Sequence, residues 1–374
     1  MPHSIAVHFA DLPDPRSDQG KRHQLSDMLV IAVCAVICAA DSWADVVDFG
    51  QAKLAWFRTF LDLPHGIPSQ DTFERVFARL DPDAFEACFE AWTRALAGTS
   101  GGKLVALDGK RIRRSFDHAW NASTATHLVS AFAHDNATVL AQLAVDVKEN
   151  EILAFPRLLA LLDLHGAVVS LDAAGCQTAL ARQIVEGGGD YLLAVKNNQP
   201  TLAGKMAKEF NAWLAEDFAS VAHQRHQEVE GDHGRIETRR VWVVQDLAWL
   251  GVEGQRWAGL SSAILVESQR ETPGQAVSWE RRFYLSSLRG DAAALGQAIR
   301  GHWGIENRLH YVLDVSFGED AARHRKGHSA ENFSRLRRIA LNLLRRDQSK
   351  KRGIKGKRLN AAWDHDYLLK LLAG

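Results

Sequence analysis

The sequence predicts a chain of mixed α/β class, with a helical N-terminal region ahead of a sheet-and-helix region. Three observations predict it. Residues 1 to about 100 repeat their apolar residues at helical spacing. From Leu104 to Val195 short apolar runs occur first as a hairpin series and then in alternation with helix patterns. From Ala292 to about Arg346 the helical period returns. With 374 residues, 46% of them hydrophobic, the chain can fill more than one core; its formal net charge of zero selects no partner.

In the first hundred residues, the apolar run Met28–Ala40 reads as a buried helix opened by Ser26 or Asp27, too short to span a bilayer. Ser42 with Asp45 opens the next helix. After Pro68, Asp71 and Glu74 have capping-box spacing ahead of Phe73, Val76, Phe77 and Leu80. Pro82 suits the first turn of a further helix, with Asp83, Glu86 and Glu90 on its outer face. Those acids disfavour a helix-turn-helix against a plain bundle; Arg75 and Arg79 are the candidate DNA contacts if one exists. Thr99-Ser-Gly-Gly102 reads as a linker.

Leu104–Leu107, His127–Ala133 and Val139–Val147 then read as three successive strands, with Asp135-Asn136 as a turn. A helix over about 155–162, a strand at Val168–Leu171, a helix at Gln177–Glu186 and a strand at Tyr191–Val195 imply a parallel section. Between about 201 and 287 one polar helix precedes β-like runs at Arg239–Val244, Trp257–Glu267 and Arg281–Leu285. Four cysteines without a Cys-x-x-Cys pair suggest reduced, cytosolic thiols.

Three acids stand out. Asp108 and Asp172 end or follow apolar strand-like runs, and Glu306 lies in a helix-like segment. A carboxylate in an apolar run is costly unless something binds it, and three oxygen donors suit a pair of hard divalent cations. Asp108 on a central strand is the natural bridge between two ions. The plainer readings are a turn at Asp108-Gly109 and a cap by Asp172 on the following helix. Asp314, Glu319 and Asp320 compete with Glu306. His302, Glu306 and His310 share a helix face, but the His-Glu-x-x-His pairing of zinc proteases is absent.

Basic residues surround these acids. Lys110, Arg111, Arg113 and Arg114 follow the first, placed to hold phosphates beside a metal site. Lys196 and Asn198 end a strand and are candidate DNA contacts. Between Arg335 and Arg358 eleven basic residues face Asp347 alone, among them Lys350, Lys351, Arg352, Lys355, Lys357 and Arg358. So lopsided a stretch favours salt-dependent phosphate contacts. Trp303 reads as a core residue.

His8-Phe-Ala-Asp-Leu-Pro-Asp-Pro-Arg16, Asp108-Gly-Lys110, Asp172-Ala-Ala-Gly-Cys-Gln177, Leu193-Ala-Val-Lys-Asn-Asn-Gln-Pro200 and the block Arg300-x-His-Trp-x-Ile-Glu-Asn-x-Leu-His-x-x-Leu-Asp-Val-x-Phe-x-Glu-Asp320 resemble the DDE transposases of bacterial insertion sequences. More narrowly, they resemble the ISAs-type, H-repeat-associated group. The resemblance implies a ribonuclease H-like catalytic domain interrupted by a β-rich insertion and preceded by an all-helical domain. It divides the chain into a helical domain (1–100), a first catalytic part (101–200), an insertion (201–288), final catalytic helices (289–346) and a basic tail (347–374). It makes Asp108, Asp172 and Glu306 a catalytic, metal-binding triad for Mg²⁺ or Mn²⁺, two ions, with spacings 172 − 108 = 64 and 306 − 172 = 134.

The implied activity is cleavage at terminal inverted repeats and transfer to target DNA, by a homodimer in the synaptic complex, in the cytoplasm at the nucleoid. Around the glutamate the wider superfamily carries Tyr, Arg and Lys, whereas here His302 stands four residues before it and Leu313 seven after. Their phosphate-contacting roles would pass to Arg300, His302, Arg308 or His310. Two other readings remain: a DNA-binding H-repeat-associated protein that keeps the fold without transposing, and a metal-dependent endonuclease that cuts without joining.

Overall fold

The structure is a computed structural model that describes residues 3–19, 21–97, 104–116, 125–145, 151–232 and 234–373. The expected linker Thr99–Gly102 lies outside the described residues, as do the last residues of the expected strand Val139–Val147. Helices α1 (His3–His8), α2 (Leu25–Ile37), α3 (Trp43–Ala52), α4 (Leu54–Phe57), α5 (Gln70–Arg79) and α6 (Pro82–Ala97) come first. Strands β1 (Leu104–Arg111), β2 (His127–Ala133) and β3 (Thr138–Val145) follow, then α7 (Glu151–Ala160), β4 (Val168–Leu171), α8 (Thr178–Glu186), β5 (Asp190–Val195) and α9 (Pro200–Ala215). Strands β6 (Gln224–Asp232) and β7 (Arg235–Val244), helix α10 (Val252–Gln255), and strands β8 (Ser262–Glu271) and β9 (Ser278–Ser286) lead to α11 (Ala292–His302). A π-helical turn (Ile305–His310) runs into α12 (Tyr311–Phe317), and α13 (Ser329–Arg346), α14 (Ile354–Trp363) and α15 (His365–Ala373) close the chain. The class is mixed α/β with a large sheet and a helical N-terminal region, as the sequence predicts.

The chain divides into two compact units. The first comprises Met1–Thr99, Gly109–Asn150 and Glu306–Gly374, and the second Ser100–Asp108 and Glu151–Ile305.

The core of the first unit is α2, buried from Met28 to Ile37, and α13, buried from Ser329 to Leu344. A helix buried all round must be satisfied all round. On α2 the side chains are apolar. On α13 they include Arg335, Arg337 and Arg338, so the charges need internal partners. Glu86 of α6 accepts from Arg335 Nε at 2.7 Å and from the Gln142 N–H at 2.6 Å, while Glu331 holds the same guanidinium at 3.1 Å. Asn332 donates to the carbonyls of Phe77 and Leu80, and Asn342 trades hydrogen bonds with both backbone groups of Val139 in β3. Trp43 stacks with Phe73 and meets Phe333 edge-on.

Three sequence expectations change here. Helix α2 starts at Leu25 behind Gln24, whose side chain makes no cap, so neither Ser26 nor Asp27 opens it. Ser69, not Asp71, caps α5 by accepting from the Thr72 N–H. Glu86, assigned to the outer face of α6, is 2% exposed because Arg335 draws it inward. The Ser42–Asp45 capping box is present at α3.

In the second unit the strand order is β1-β4-β5-β9-β8-β7-β6. β1, β4 and β5 run parallel, and β9, β8, β7 and β6 continue antiparallel from β5. No alternation of buried and exposed residues marks the start of β1: Leu104–Leu107 is buried throughout, as a parallel strand covered on both faces requires. Helix α11 lays Ala292, Leu295 and Ile299 over Leu192, Val241, Val243, Ile264, Val266 and Tyr284. β6 is not foreseen by the sequence pattern. It forms the sheet's edge, and its residues Gln224-Arg-His-Gln-Glu-Val-Glu-Gly-Asp232 carry the polarity an edge strand needs, so no apolar run announces it.

Removing one member of a buried ion network leaves its partner charged and dry. We therefore expect Glu86→Ala to destabilise the fold by about 3–5 kcal/mol, whereas a change at an exposed position such as Arg79→Ala shifts it by about 0.5 kcal/mol or less. Urea unfolding of the two variants checks this.

Candidate active site

The two aspartates meet through strand register. β1 and β4 pair in parallel with Leu107 opposite Leu171, so Asp108 and Asp172 are the next residues on neighbouring chains. Side chains alternate along a strand, so equivalent positions face the same side of the sheet. Both residues are half-buried. They lie where the carboxyl ends of parallel strands open outward, the usual ligand edge of such sheets.

Asp172 is fixed by its own loop. Its Oδ1 accepts from the N–H groups of Ala174 (2.9 Å) and Gly175 (3.3 Å), and neither bond uses Oδ2. It does not cap α8, whose N-cap Gln177 makes no side-chain bond. A Cβ at Gly175 would come within 2.4 Å of Leu171 Cδ2, so this turn admits only glycine. Asn198 donates to the Ala173 carbonyl and Gln199 to that of Cys176 at 2.9 Å, so the end of β5 braces the Asp172 loop.

In the first unit Glu306 sits on the π-helical turn, exposed, with its Oε2 3.4 Å from Nδ1 of the buried His310. A π-turn widens the helix by one residue and re-aims its side chains; such turns gather at functional sites. The i, i+4 face predicted from sequence survives as this Glu–His pair. His302, in the second unit, turns instead to Ser170 on β4, with Nδ1 3.0 Å from Oγ.

The cations divide into two sets. Exposed side chains are Arg111, Arg113, Arg114, Lys196, Lys351, Arg352 and Lys355; Lys350 is half-buried, 5.3 Å over the Tyr367 ring. Arg113 also pairs with Asp320 at 3.1 Å.

Others expected at phosphate are committed to the protein. Lys110 is 9% exposed, its Nζ 2.6 Å from Asp314, 2.9 Å from Asp320 and 3.7 Å from Glu319. Lys357 donates to the carbonyls of Leu344 and Asp347, and Arg358 to that of Val36 at 2.9 Å, beneath the surface. Arg300 is bound by Glu228 and Glu230 of β6. Arg308 differs: it is exposed and donates to the His134 carbonyl at 2.8 Å, with no carboxylate pairing it among the described residues. Neighbouring carboxylates and carbonyls thus hold donors of Lys110, Lys357 and Arg358. Arg335 and Arg338 of the eleven-residue basic count are likewise held by carboxylates, and Arg337 is buried with its guanidinium 4.5 Å over the Phe333 ring. Trp303 departs from expectation the other way. It is 44% exposed, with the Arg282 guanidinium 4.7 Å above its ring.

Sequence reasoning missed the carboxylate cage around Lys110. Asp314, Glu319 and Asp320 were seen only as rivals of Glu306. Burial pushes the Glu319 carboxyl up, but Arg338, Lys110 and Arg337 outweigh it and hold it down at about 2. Burial likewise disfavours the Lys110 ammonium, and Glu319, Asp314 and Asp320 more than reverse this.

The chain belongs to the family of DDE-type transposases of bacterial insertion sequences. The family model "Transposase DDE domain" matches residues 99–343, and the model of its associated domain, "DDE_Tnp_1-associated", matches residues 6–93. Divalent-metal use and DNA as partner go with this family.

Among relatives, "Putative transposase YncI" of Escherichia coli O157:H7 is 39% identical over 99% of this chain and 94% of its own length. "H repeat-associated putative transposase YhhI" of Escherichia coli strain K12 is 36% identical over 99% of this chain and 98% of its own length. A cryo-EM structure of the piggyBac transposase synaptic complex with hairpin DNA aligns at a TM-score of 0.44 and 10% identity, covering 98% of this chain and 77% of that one, too loose a likeness to define the fold.

The Glu319 carboxyl lies below its ordinary 4.5 in the folded state, so its stabilisation is complete above pH about 4.5 and is lost as pH falls toward about 2. We expect the urea midpoint of the protein to fall across that window. Glu319→Gln should lower stability at pH 7 by about 3–5 kcal/mol, because Arg338 stays buried without its counter-charge, and should flatten the acid slope. Unfolding curves at several pH values decide it.

Proposed function

We propose that the protein is an insertion-sequence transposase in which Asp108, Asp172 and Glu306 form the catalytic triad. It would bind the element's terminal inverted repeats, cut the DNA there and join the freed ends to target DNA. The observation that carries this reading is the register of β1 and β4, which sets Asp108 beside Asp172 in a chain of the DDE family.

The residues fit the divalent cations the family implies. Asp108, Asp172 and Glu306 offer hard oxygen donors, and the Asp172 loop leaves one oxygen uncommitted. Cations held by these acids, Mg²⁺ or Mn²⁺ and two in number, would stabilise the attacking and leaving oxygens of an in-line displacement. The chain's own groups do the rest. Ala174 and Gly175 N–H groups fix Asp172, Asn198 braces its loop, and His310 orients Glu306. Arg111, Arg113, Arg114, Lys196, Lys351, Arg352 and Lys355 supply exposed positive charge for the DNA backbone. The sheet of β1, β4 and β5 is taken as the ribonuclease H-like core, 201–288 as the insertion within it, and 1–100 as the helical accessory domain. Synapsis of two ends would use a homodimer.

The test pairs cleavage with cation binding. Purified protein should nick and join DNA carrying the element's ends when Mg²⁺ or Mn²⁺ is present. Asp108→Ala, Asp172→Ala and Glu306→Ala should each lower the rate at least about a hundredfold, about 2.7 kcal/mol of barrier, and weaken Mn²⁺ binding measured by calorimetry. Folded triad variants that cut as fast as the parent would sink the assignment. Cutting without joining would identify a nuclease, and binding without cutting a DNA-binding relative.

A further inference from the structure

The first unit holds a cleft of about 550 Å³ that the triad does not use. Its wall includes Asn307, Arg308, Arg345, Arg346 and Gln348, with Asp135 as its one lining carboxylate. Asn307 and Arg308 directly follow Glu306 on the π-turn, and Arg345 and Arg346 end α13.

The three guanidiniums are held in an unusual way. Arg308 donates to the His134 carbonyl at 2.8 Å, Arg345 to that of Ala137 at 2.6 Å and Arg346 to that of Leu96 at 3.4 Å. Among the described residues none of the three makes an ion pair with a carboxylate. Arg335 and Arg338, further back on the same helix, face Glu86, Glu331 and Glu319. The end of α13 therefore carries cations that are positioned but not neutralised.

Arg345 shows the cost. Its guanidinium lies 5.4 Å over the Phe132 ring. Burial, and then the like charge of Arg308, push its pKa down to about 9. An anion seated between them would remove that penalty. A guanidinium has five N–H donors, and each here spends one or few on a carbonyl, so donors remain for a planar, multidentate acceptor.

We propose that this cleft seats the phosphodiester backbone of duplex DNA as a binding track separate from the acid triad. The contacts would be phosphate contacts, independent of sequence, made by Arg308, Arg345 and Arg346 with the Asn307 and Gln348 amides alongside. This rests on the transposase reading, which supplies DNA as the partner.

Full-length protein is titrated with a fluorescent random-sequence duplex in EDTA, so that no cleavage occurs, over a range of salt. Each phosphate contact contributes about 0.9 to the slope of log K against log salt. Arg308→Gln with Arg346→Gln, both exposed positions, should flatten the slope by about 1.8 and weaken binding about tenfold or more at low salt. Gln348→Glu, which adds a carboxylate without removing an arginine, should weaken binding in the same direction. Arg346→Lys should restore most of the slope lost by Arg346→Gln. Melting curves establish that each variant is folded. Folded variants with the parent's affinity and slope overturn the cleft. If the parent protein itself binds no DNA, the transposase reading fails with it. If the parent binds and cuts while the variants match it, only the cleft fails.

Discussion

Glu319 carries its charge where water does not reach, at 0% exposure, and the first unit is arranged around keeping that charge. Arg338 meets it at 2.9 Å, Ser334 donates to it at 2.6 Å, and Lys110 stands 3.7 Å away while also holding Asp314 and Asp320. A charge buried alone would cost far more than a domain's net stability, so the set forms together or not at all. Its members come from the end of β1, α12, the turn at Glu319–Ala321 and α13. Lys110 follows Asp108 by two residues along β1, and Asp314 follows Glu306 by eight along the helix that the π-turn begins. Both acid-bearing segments thus have an anchored continuation in this unit.

This explains why an arginine-rich helix can be a core helix. Arg335, Arg337 and Arg338 are among the largest fully buried side chains. Each lies against an aromatic ring or a carboxylate: Arg335 over Phe85, Arg337 over Phe333, Arg338 on Glu319. The planar guanidinium suits this, since it stacks and forks where an ammonium cannot.

The strands and helices that position the site could be read from local pattern. Leu104–Leu107, Val168–Leu171 and Tyr191–Val195 are short apolar runs bounded by polar residues, and the structure keeps each as a strand, the last starting one residue earlier and the first running on through Asp108 to Arg111. Asp108 and Asp172 were visible because each acid closes such a run. What could not be read was pairing at long range. Glu86 looked solvent-facing because its partner lies 249 residues away, and Lys110 looked free because its counter-charges lie more than 200 residues on. β6 was hidden because an edge strand needs no apolar face of its own. Trp303 read as core because a large aromatic ring usually is, yet a guanidinium from β9 lies across it.

Counting charge along a chain therefore says how much positive charge a segment has, not where it is available. Eleven basic residues between Arg335 and Arg358 suggest a uniform phosphate-binding tail. Folding separates them by what they meet. Arg335 and Arg338 are neutralised by Glu86, Glu331 and Glu319, Arg337 lies buried over the Phe333 ring, and Lys357 and Arg358 donate to main-chain carbonyls. Arg345 and Arg346 keep their charge because the last turn of α13 runs out past its carboxylate partners. A guanidinium anchored by one carbonyl has its direction fixed while its field is uncancelled, the condition for binding a phosphate at little further entropic cost. Within this stretch the available charge is thus concentrated at the end of α13 and in the exposed residues after Arg346.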